Sequence, residues 1–298
     1  MTNDEYLKAV LKSQKLPDDS DEMQELIQHR QEVETVLRDK FASAAPTIRY
    51  GGSKAKGTLI RESYDLDVVF YVPNDNNEAG ETLKEIFDNV RNELAKHYYV
   101  EARTSAIRLR SKDPSTYGRD FHIDVVPGRF IDNKKSDCFL YQNGGEKERL
   151  KTNLDVHIAY IRDSDVIDAI RLLKLIRVRR ALRVKQFVFE LLIVNLLSAK
   201  KKNSLEDQLR HVLQQIADAE QPIHVEDPAN PAGNDLSDLL SSVWAELRAA
   251  ARSVLDIVDR SGWEAVFGSV VEVSKSERIA RATVLAATVE RPTKPWRA

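Results

Sequence analysis

The chain has 298 residues, 42% of them hydrophobic, which suits one large domain or two lobes with a sizeable core. Its 45 basic and 47 acidic side chains leave a formal charge of −2 and a pI near 6.4, which argues against a dominant polyanion-binding surface. The single cysteine, Cys138, excludes an internal disulfide and reads as a buried structural residue in a reducing cytosol. The most apolar run, Phe187 to Leu197, is interrupted by Glu190 and Asn195 and is too short to span a bilayer. The acidic start, Met1 to Glu5, lacks the basic-then-apolar form of a signal peptide, so a cytoplasmic protein is expected, with no membrane partner.

Taken in order, residues 4–15 read as a helix ended near Pro17, and Asp18 to Asp21 offer N-cap groups. A long helix is expected over 21–44, with Met23, Leu26, Ile27, Val33, Val36, Leu37 and Phe41 as its apolar stripe, acting as a brace. Strands follow at 47–50 and 65–72, separated by the turn Gly51-Gly52-Ser53 and a short helix within 52–64. A loop at 74–80 leads to a helix over 81–97, strands at 98–102 and 106–110, a turn at 113–118, and strands at 120–126 and 137–142. Beyond about Asp155 the pattern turns helical, with helices expected at 163–181, 185–200, 204–218, 236–259 and 277–290. His224 to Asp235 reads as a rigid structural connector, and the stretch from Arg291 to Ala298 as an extended tail. The expected division is 1–45 for the N-terminal helices, 46–155 for a catalytic core and 156–298 for a helical lobe with its tail.

The chemistry concentrates at three places. In an extended strand Asp65 and Asp67 point the same way, while Leu66, Val68, Phe70 and Val72 point to the opposite face. Carboxylates held side by side repel each other unless a cation sits among them, and magnesium takes such oxygen ligands together with substrate phosphates. Asp124 alternates with Ile123 and Val125 in a second strand and completes a three-carboxylate set able to hold two metals for in-line phosphoryl transfer. Gly52 and Ser53 supply a tight turn whose N–H groups and hydroxyl can approach a phosphate. Arg171 to Lys185 is a run of basic residues without an acid, and Lys174 stands out because apolar residues flank it on both sides.

Gly-Ser, a short helix, Asp-x-Asp on one strand and a later lone Asp resemble the polymerase-β-like nucleotidyltransferase superfamily. Leu172-Leu173-Lys174-Leu175, Phe187 to Leu192, and Asp227-Pro228-Ala229-Asn230-Pro231 with Asn234 are similar to the 2′-5′-oligoadenylate synthetase and cGAS/DncV-like branch, the bacterial CD-NTases. The resemblance spans about residues 20–290. It implies an α+β fold: a polymerase-β-like core with a mixed sheet, an all-helical C-terminal lobe, and a long N-terminal helix bridging them. It implies Asp65, Asp67 and Asp124 as catalytic metal ligands for two Mg²⁺ ions, with Mn²⁺ as an alternative, and Gly52, Ser53 and Lys174 on the triphosphate. Asn153, beside Thr152, falls where the group lines its base pocket. Where the group carries a Ser followed by an aromatic residue ahead of its Glu-containing helix, this chain has Lys185-Gln186-Phe187.

The resemblance further implies NTP substrates, ATP among them, and a cyclic di- or trinucleotide product that activates an effector protein in bacterial anti-phage (CBASS) signalling. No obligatory nucleic acid is expected, and a monomer is favoured. A linear oligonucleotide synthase is an alternative product class. A tRNA CCA-adding enzyme shares the core motif, but it would need a longer chain and a broad basic surface. A non-enzymatic relative would be shorter or would lack one carboxylate.

Overall fold

The computed structural model describes residues 1–112, 123–144, 148–231 and 234–270. The turn expected at 113–118, the start of the strand expected at 120–126, the helix expected at 277–290 and the tail from Arg291 lie outside the described residues.

Helix α1 (Asn3–Ser13) starts at Thr2, whose hydroxyl accepts from the Glu5 N–H while the Glu5 carboxylate accepts from the Thr2 N–H. Helix α2 (Asp21–Lys40) starts at Ser20. It stops at Lys40, short of the expected 44, and the chain tightens into a 3-10 turn over Ala42–Ala44 that ends at Ala45, left-handed at φ 46°. Strand β1 (Thr47–Tyr50), helix α3 (Gly52–Lys56) and strand β2 (Leu66–Val72) follow, then α4 (Leu83–His97) behind a Thr82–Glu85 capping box. Strands β3 (Tyr98–Ala102), β4 (Ile107–Ser111), β5 (Ile123–Phe130), β6 (Cys138–Tyr141) and β7 (Arg149–Thr152) complete the sheet.

The sheet is mixed. Its main path runs β1-β2-β5-β4-β3, with β2 and β5 parallel and their other pairings antiparallel. On the edge of β5 away from β2, β4 pairs with Ile123 to Val125 and β6 with Gly128 to Phe130. Pro127 falls in the gap between those two partners, which is how β5 runs past a proline that the sequence reads as its end. One face of the sheet is closed by α2 and α4: Val33, Leu37, Phe41, Ile86, Phe87 and Val90 pack on Leu66, Val68, Phe70, Ile123 and Val125. Asp67 and Asp124 are left for the opposite face.

The second core is helical: α5 (Leu154–Arg162), α6 (Ile167–Arg179), α7 (Gln186–Leu196), α8 (Leu205–Asp218), α9 (Ser237–Ser241), α10 (Trp244–Ser261) and α11 (Glu264–Phe267). Ile170, Leu173, Leu192, Leu209, Leu213 and Val254 centre it, and Leu7, Val10 and Leu11 of α1 join it from the other end of the chain. The tyrosine hydroxyl of Tyr6 donates to the Gly268 carbonyl at 2.5 Å. The periodicity misses β7, α5 and α11. It also merges α9 with α10, and it starts α6 early, because Asp165 turns left-handed at φ 63° just ahead of the helix.

The connector expected at 224–235 is held from within. Glu226 bridges Asp235, and the buried Asp227 carboxylate accepts from the Ala229 N–H at 2.9 Å and the Asn234 side chain at 2.8 Å. His157 Nε2 of α5 stands 2.6 Å from its Oδ1, and the His157 ring lies 4.5 Å from that of Phe187. Burial works to raise the Asp227 pKa, but the hydrogen bond and charge of His157, with the Asn234 and Ala229 donors, outweigh it and hold the carboxyl below its ordinary 3.8. A depressed carboxyl contributes stability that is complete above its unfolded value and is lost as pH falls through the folded one. Urea melts of the native chain should therefore weaken steeply below about pH 4. Asp227→Asn should flatten that acid limb and be less stable by about 1–3 kcal/mol at neutral pH.

Candidate active site

The turn after β1 is fixed by its approach to β2. The Gly51 N–H donates to the Asp67 carbonyl at 2.8 Å. Gly52 sits at φ +53°, and a Cβ there would lie 1.5 Å from Asp67 Oδ2. Only glycine allows the chain to cross the carboxylate so closely. The register of β2 on β5 sets Asp67 directly beside Asp124, and Asp65 precedes the first residue of β2. The expected three carboxylates thus converge on the sheet face that the apolar helices leave open.

Their electrostatics follow from that crowding. Burial, then the charges of Asp65 and Asp124, push the Asp67 carboxyl up to about 7 against the pull of Lys56 and Lys174. Asp124 is differently placed. Arg108, opposite it on β4, donates through Nε to Oδ1 and through Nη2 to Oδ2, each at 2.8 Å. Among the described residues no three His, Cys, Asp or Glu side chains are grouped as a metal cage.

The helical lobe contributes the cations. Lys174, only 2% exposed on α6, donates to Ser53 Oγ at 2.9 Å and lies 3.4 Å from the Thr58 carbonyl. Burial brings its pKa down to about 8, opposed by Glu190 and Asp65 and aided by Lys56 and Arg177. Glu190, fully buried on α7, pairs with Lys56 of α3 and accepts from Thr58 Oγ1 at 2.7 Å and from the Gln186 side chain at 3.1 Å. The Lys56 ammonium also lies 5.3 Å from the Phe187 ring centroid. Gln186, in the place of the group's serine, contacts Glu190.

The five arginines of the basic run are engaged by other protein groups. Arg171 donates to the Leu59 carbonyl, Arg177 to that of Val184, Arg179 pairs with Glu62, Arg180 bonds Ser253 and Arg183 pairs with Glu246. Asn153 caps α5: its Oδ1 accepts from the Val156 N–H at 3.1 Å and its amide donates to Asp137 at 2.7 Å. Cys138 is buried, and burial first of all pushes its thiol up to about 12. A hollow of about 600 Å³ lies between α2, α3 and α5, lined by Arg30, Arg49, Tyr50, Ala55, Asp155 and Arg162, and does not include Asp65, Asp67 or Asp124.

Arg108, Lys56 and Thr58 escape a reading of the sequence for motifs, and Glu190 enters it only as part of the Phe187 to Leu192 stretch, with no partner assigned. Glu190 does leave a signal, a lone acid inside the most apolar helix of the chain, which requires a buried partner.

The architecture is that of a polymerase-β-like nucleotidyltransferase. No family model and no curated protein sequence matches the chain. Among solved structures it is similar to E. coli MS115-1 CdnC with ATP, at TM-score 0.68 and 19% identity over 90% of this chain and 98% of that one. Bradyrhizobium diazoefficiens CD-NTase CdnG in complex with GTP matches at TM-score 0.67 and 13% identity, over 96% and 99% of the two chains. The CdnE cyclic dinucleotide synthase of Elizabethkingia meningoseptica with GTP and Apcpp matches at 0.60 and 14% identity, over 87% and 99%. The chain has the CD-NTase fold.

The Lys56–Glu190 pair joins helix α3 to the helical lobe. Glu190→Ala strands a lysine in a buried setting and should cost about 3–5 kcal/mol. Asp18→Ala, which breaks the exposed Lys54–Asp18 pair, should cost under about 1 kcal/mol. Thermal melts of the two variants side by side check the contrast.

Proposed function

We propose that the chain is a metal-dependent nucleotidyltransferase that joins NTPs, ATP among them, into a cyclic di- or trinucleotide. The observation that carries this reading is the pairing of Asp67 with Asp124 under the Gly52–Ser53 turn, with Lys174 bonded to Ser53. The fold supports it, since CdnE bears the description of a cyclic dinucleotide synthase and CdnC and CdnG were solved with ATP and GTP.

The donor set fits hard divalent cations: it is all carboxylate oxygen, and burial, then the charges of Asp65 and Asp124, raise Asp67. Asp65, Asp67 and Asp124 would hold two Mg²⁺, or Mn²⁺, which when bound neutralise charge on the transferred phosphoryl group. The protein's own part is positioning. The Gly52 and Ser53 turn receives the donor phosphates, and Lys174 adds a point charge from the helical lobe. A ribose hydroxyl of one nucleotide attacks the α-phosphorus of the next, an O–P bond forms, and pyrophosphate leaves. A second transfer within the same site closes the ring. The proposed setting is the cytoplasm of a bacterium, as a monomer, with the product activating an effector in anti-phage (CBASS) signalling.

Asn153 fits less well as a base contact, because both ends of its amide are taken up in capping α5 and in bonding Asp137.

Incubating the purified chain with the four NTPs and Mg²⁺, without nucleic acid, should yield a phosphatase-resistant product of cyclic mass. A phosphatase-sensitive ladder would instead mark a linear synthase. Asp67→Asn should lower turnover at least about a hundredfold without lowering the melting temperature, since it relieves repulsion. Lys174→Ala should raise KM and lower kcat, and unchanged values of both would remove it from the phosphate site.

A further inference from the structure

Four strands carry one row of charged residues across the sheet. Glu101 on β3 faces Arg108 on β4, Arg108 faces Asp124 on β5, and Asp124 faces Asp67 on β2. Residues directly opposite in register share a face, so the row reads acid, base, acid, acid on the side of the site. Arg108 is the base in that row. Its fork spends one donor on each oxygen of Asp124, at 2.8 Å, and Nη2 also stands 3.9 Å from Asp65 Oδ2. A guanidinium does not lose its charge in a protein, so this cation leaves only by moving.

We propose that Arg108 is the resident counter-ion of the carboxylates and that a divalent metal gains Asp124 only by displacing it. The inference rests on the metal-dependent reading above. With both oxygens held in a bidentate pair, Asp124 has its best lone-pair directions occupied, and a metal and a guanidinium on the same oxygens repel each other. The acid in register on the other side of Arg108 is Glu101 of β3, whose carboxylate Arg103 at 3.1 Å and Arg110 at 3.6 Å already share, so those cations oppose its displacement in that direction and add to the work of breaking the pair. Metal-free protein thus keeps its carboxylates partly neutralised, and metal binding is weakened by the work of breaking the pair.

The opposing view is that Arg108 merely orients Asp124 for the metal, and it predicts the opposite sign. The experiment is Mn²⁺ binding to the full chain without nucleotide, read from the electron paramagnetic resonance signal of free Mn²⁺. Arg108→Met should tighten Mn²⁺ binding between about tenfold and about a hundredfold, the worth of a charged hydrogen-bonded pair. In thermal melts the metal-free variant should fall below the native chain, because Asp124 has lost its partner, and saturating Mn²⁺ should narrow the gap. Arg108→Lys, which keeps the charge but not the fork, should tighten binding to a smaller degree and serves if the methionine variant does not fold. Native Mn²⁺ binding with unchanged or weaker binding in the variants overturns the counter-ion proposal and leaves the enzyme reading standing. Absence of Mn²⁺ binding in the native chain and the variants, together with absence of NTP incorporation, overturns both.

Discussion

The parallel pairing of β2 with β5 is the constraint on which the rest depends. It places Asp67 against Asp124 at one level of the sheet, where two carboxylates repel and one is pressed by the backbone of Gly52. At an effective dielectric of about 20, like charges about 4 Å apart oppose each other by about 4 kcal/mol, a large fraction of the stability of a domain. The surrounding cations answer that repulsion from two directions: Arg108 from within the sheet, and Lys56 and Lys174 from the α3 and α6 side. The apolar packing of α2 and α4 on the other face makes the register hard to slip, because a shift of one residue would bury the carboxylates and expose Leu66, Val68 and Phe70.

The Gly52–Ser53 turn is not held by the sheet alone. Ser53 receives Lys174 from α6, and Lys56 and Thr58 meet Glu190 from α7. Both contacts cross from the sheet to the helical lobe, and both involve groups almost wholly shielded from water. A buried ion pair adds little net stability over an apolar equivalent, but it tolerates only one alignment of its partners. The position of α3 over the carboxylates is therefore tied to the seating of the two lobes against each other.

Much of this was legible in the sequence, and for physical reasons. The alternation in 65–72 and around Asp124 marks strands with one acidic and one apolar face. The glycine pair before Ser53 marks a turn that no side chain could make, and Lys174 among leucines marks a cation with a task. What escaped the reading depends on pairing that sequence alone does not display. Arg108 becomes significant only once β4 lies against β5, and the strands from Tyr98 to Ser111 carry several similar arginines. Arg171, Arg177, Arg179 and Arg183 look equally available, yet carbonyls and acids take them up, those of Leu59, Glu62 and Glu246 from distant segments and that of Val184 from within the run. Helix α5 was missed because its apolar residues, Ile158 and Ile161 among them, share a short segment with charged ones, and its start is set by Asn153.

The placement of α1 has a consequence for how the chain folds. Leu7, Val10 and Leu11 share one core cluster with Leu209, Val254 and Phe267, about two hundred residues or more further along the chain. The sheet lobe is in effect an insertion between two parts of the helical one. It can collapse early around contacts among α2, α4 and the strands, while α1 waits as a short amphipathic segment that is marginal on its own. Closing the helical core is a long-range event that spans nearly the whole described chain, and such events are slow. Asp67 and Asp124 sit on strands of one core and Lys174 on a helix of the other, so an intermediate with the sheet core formed and the helical core still open is the expected folding route.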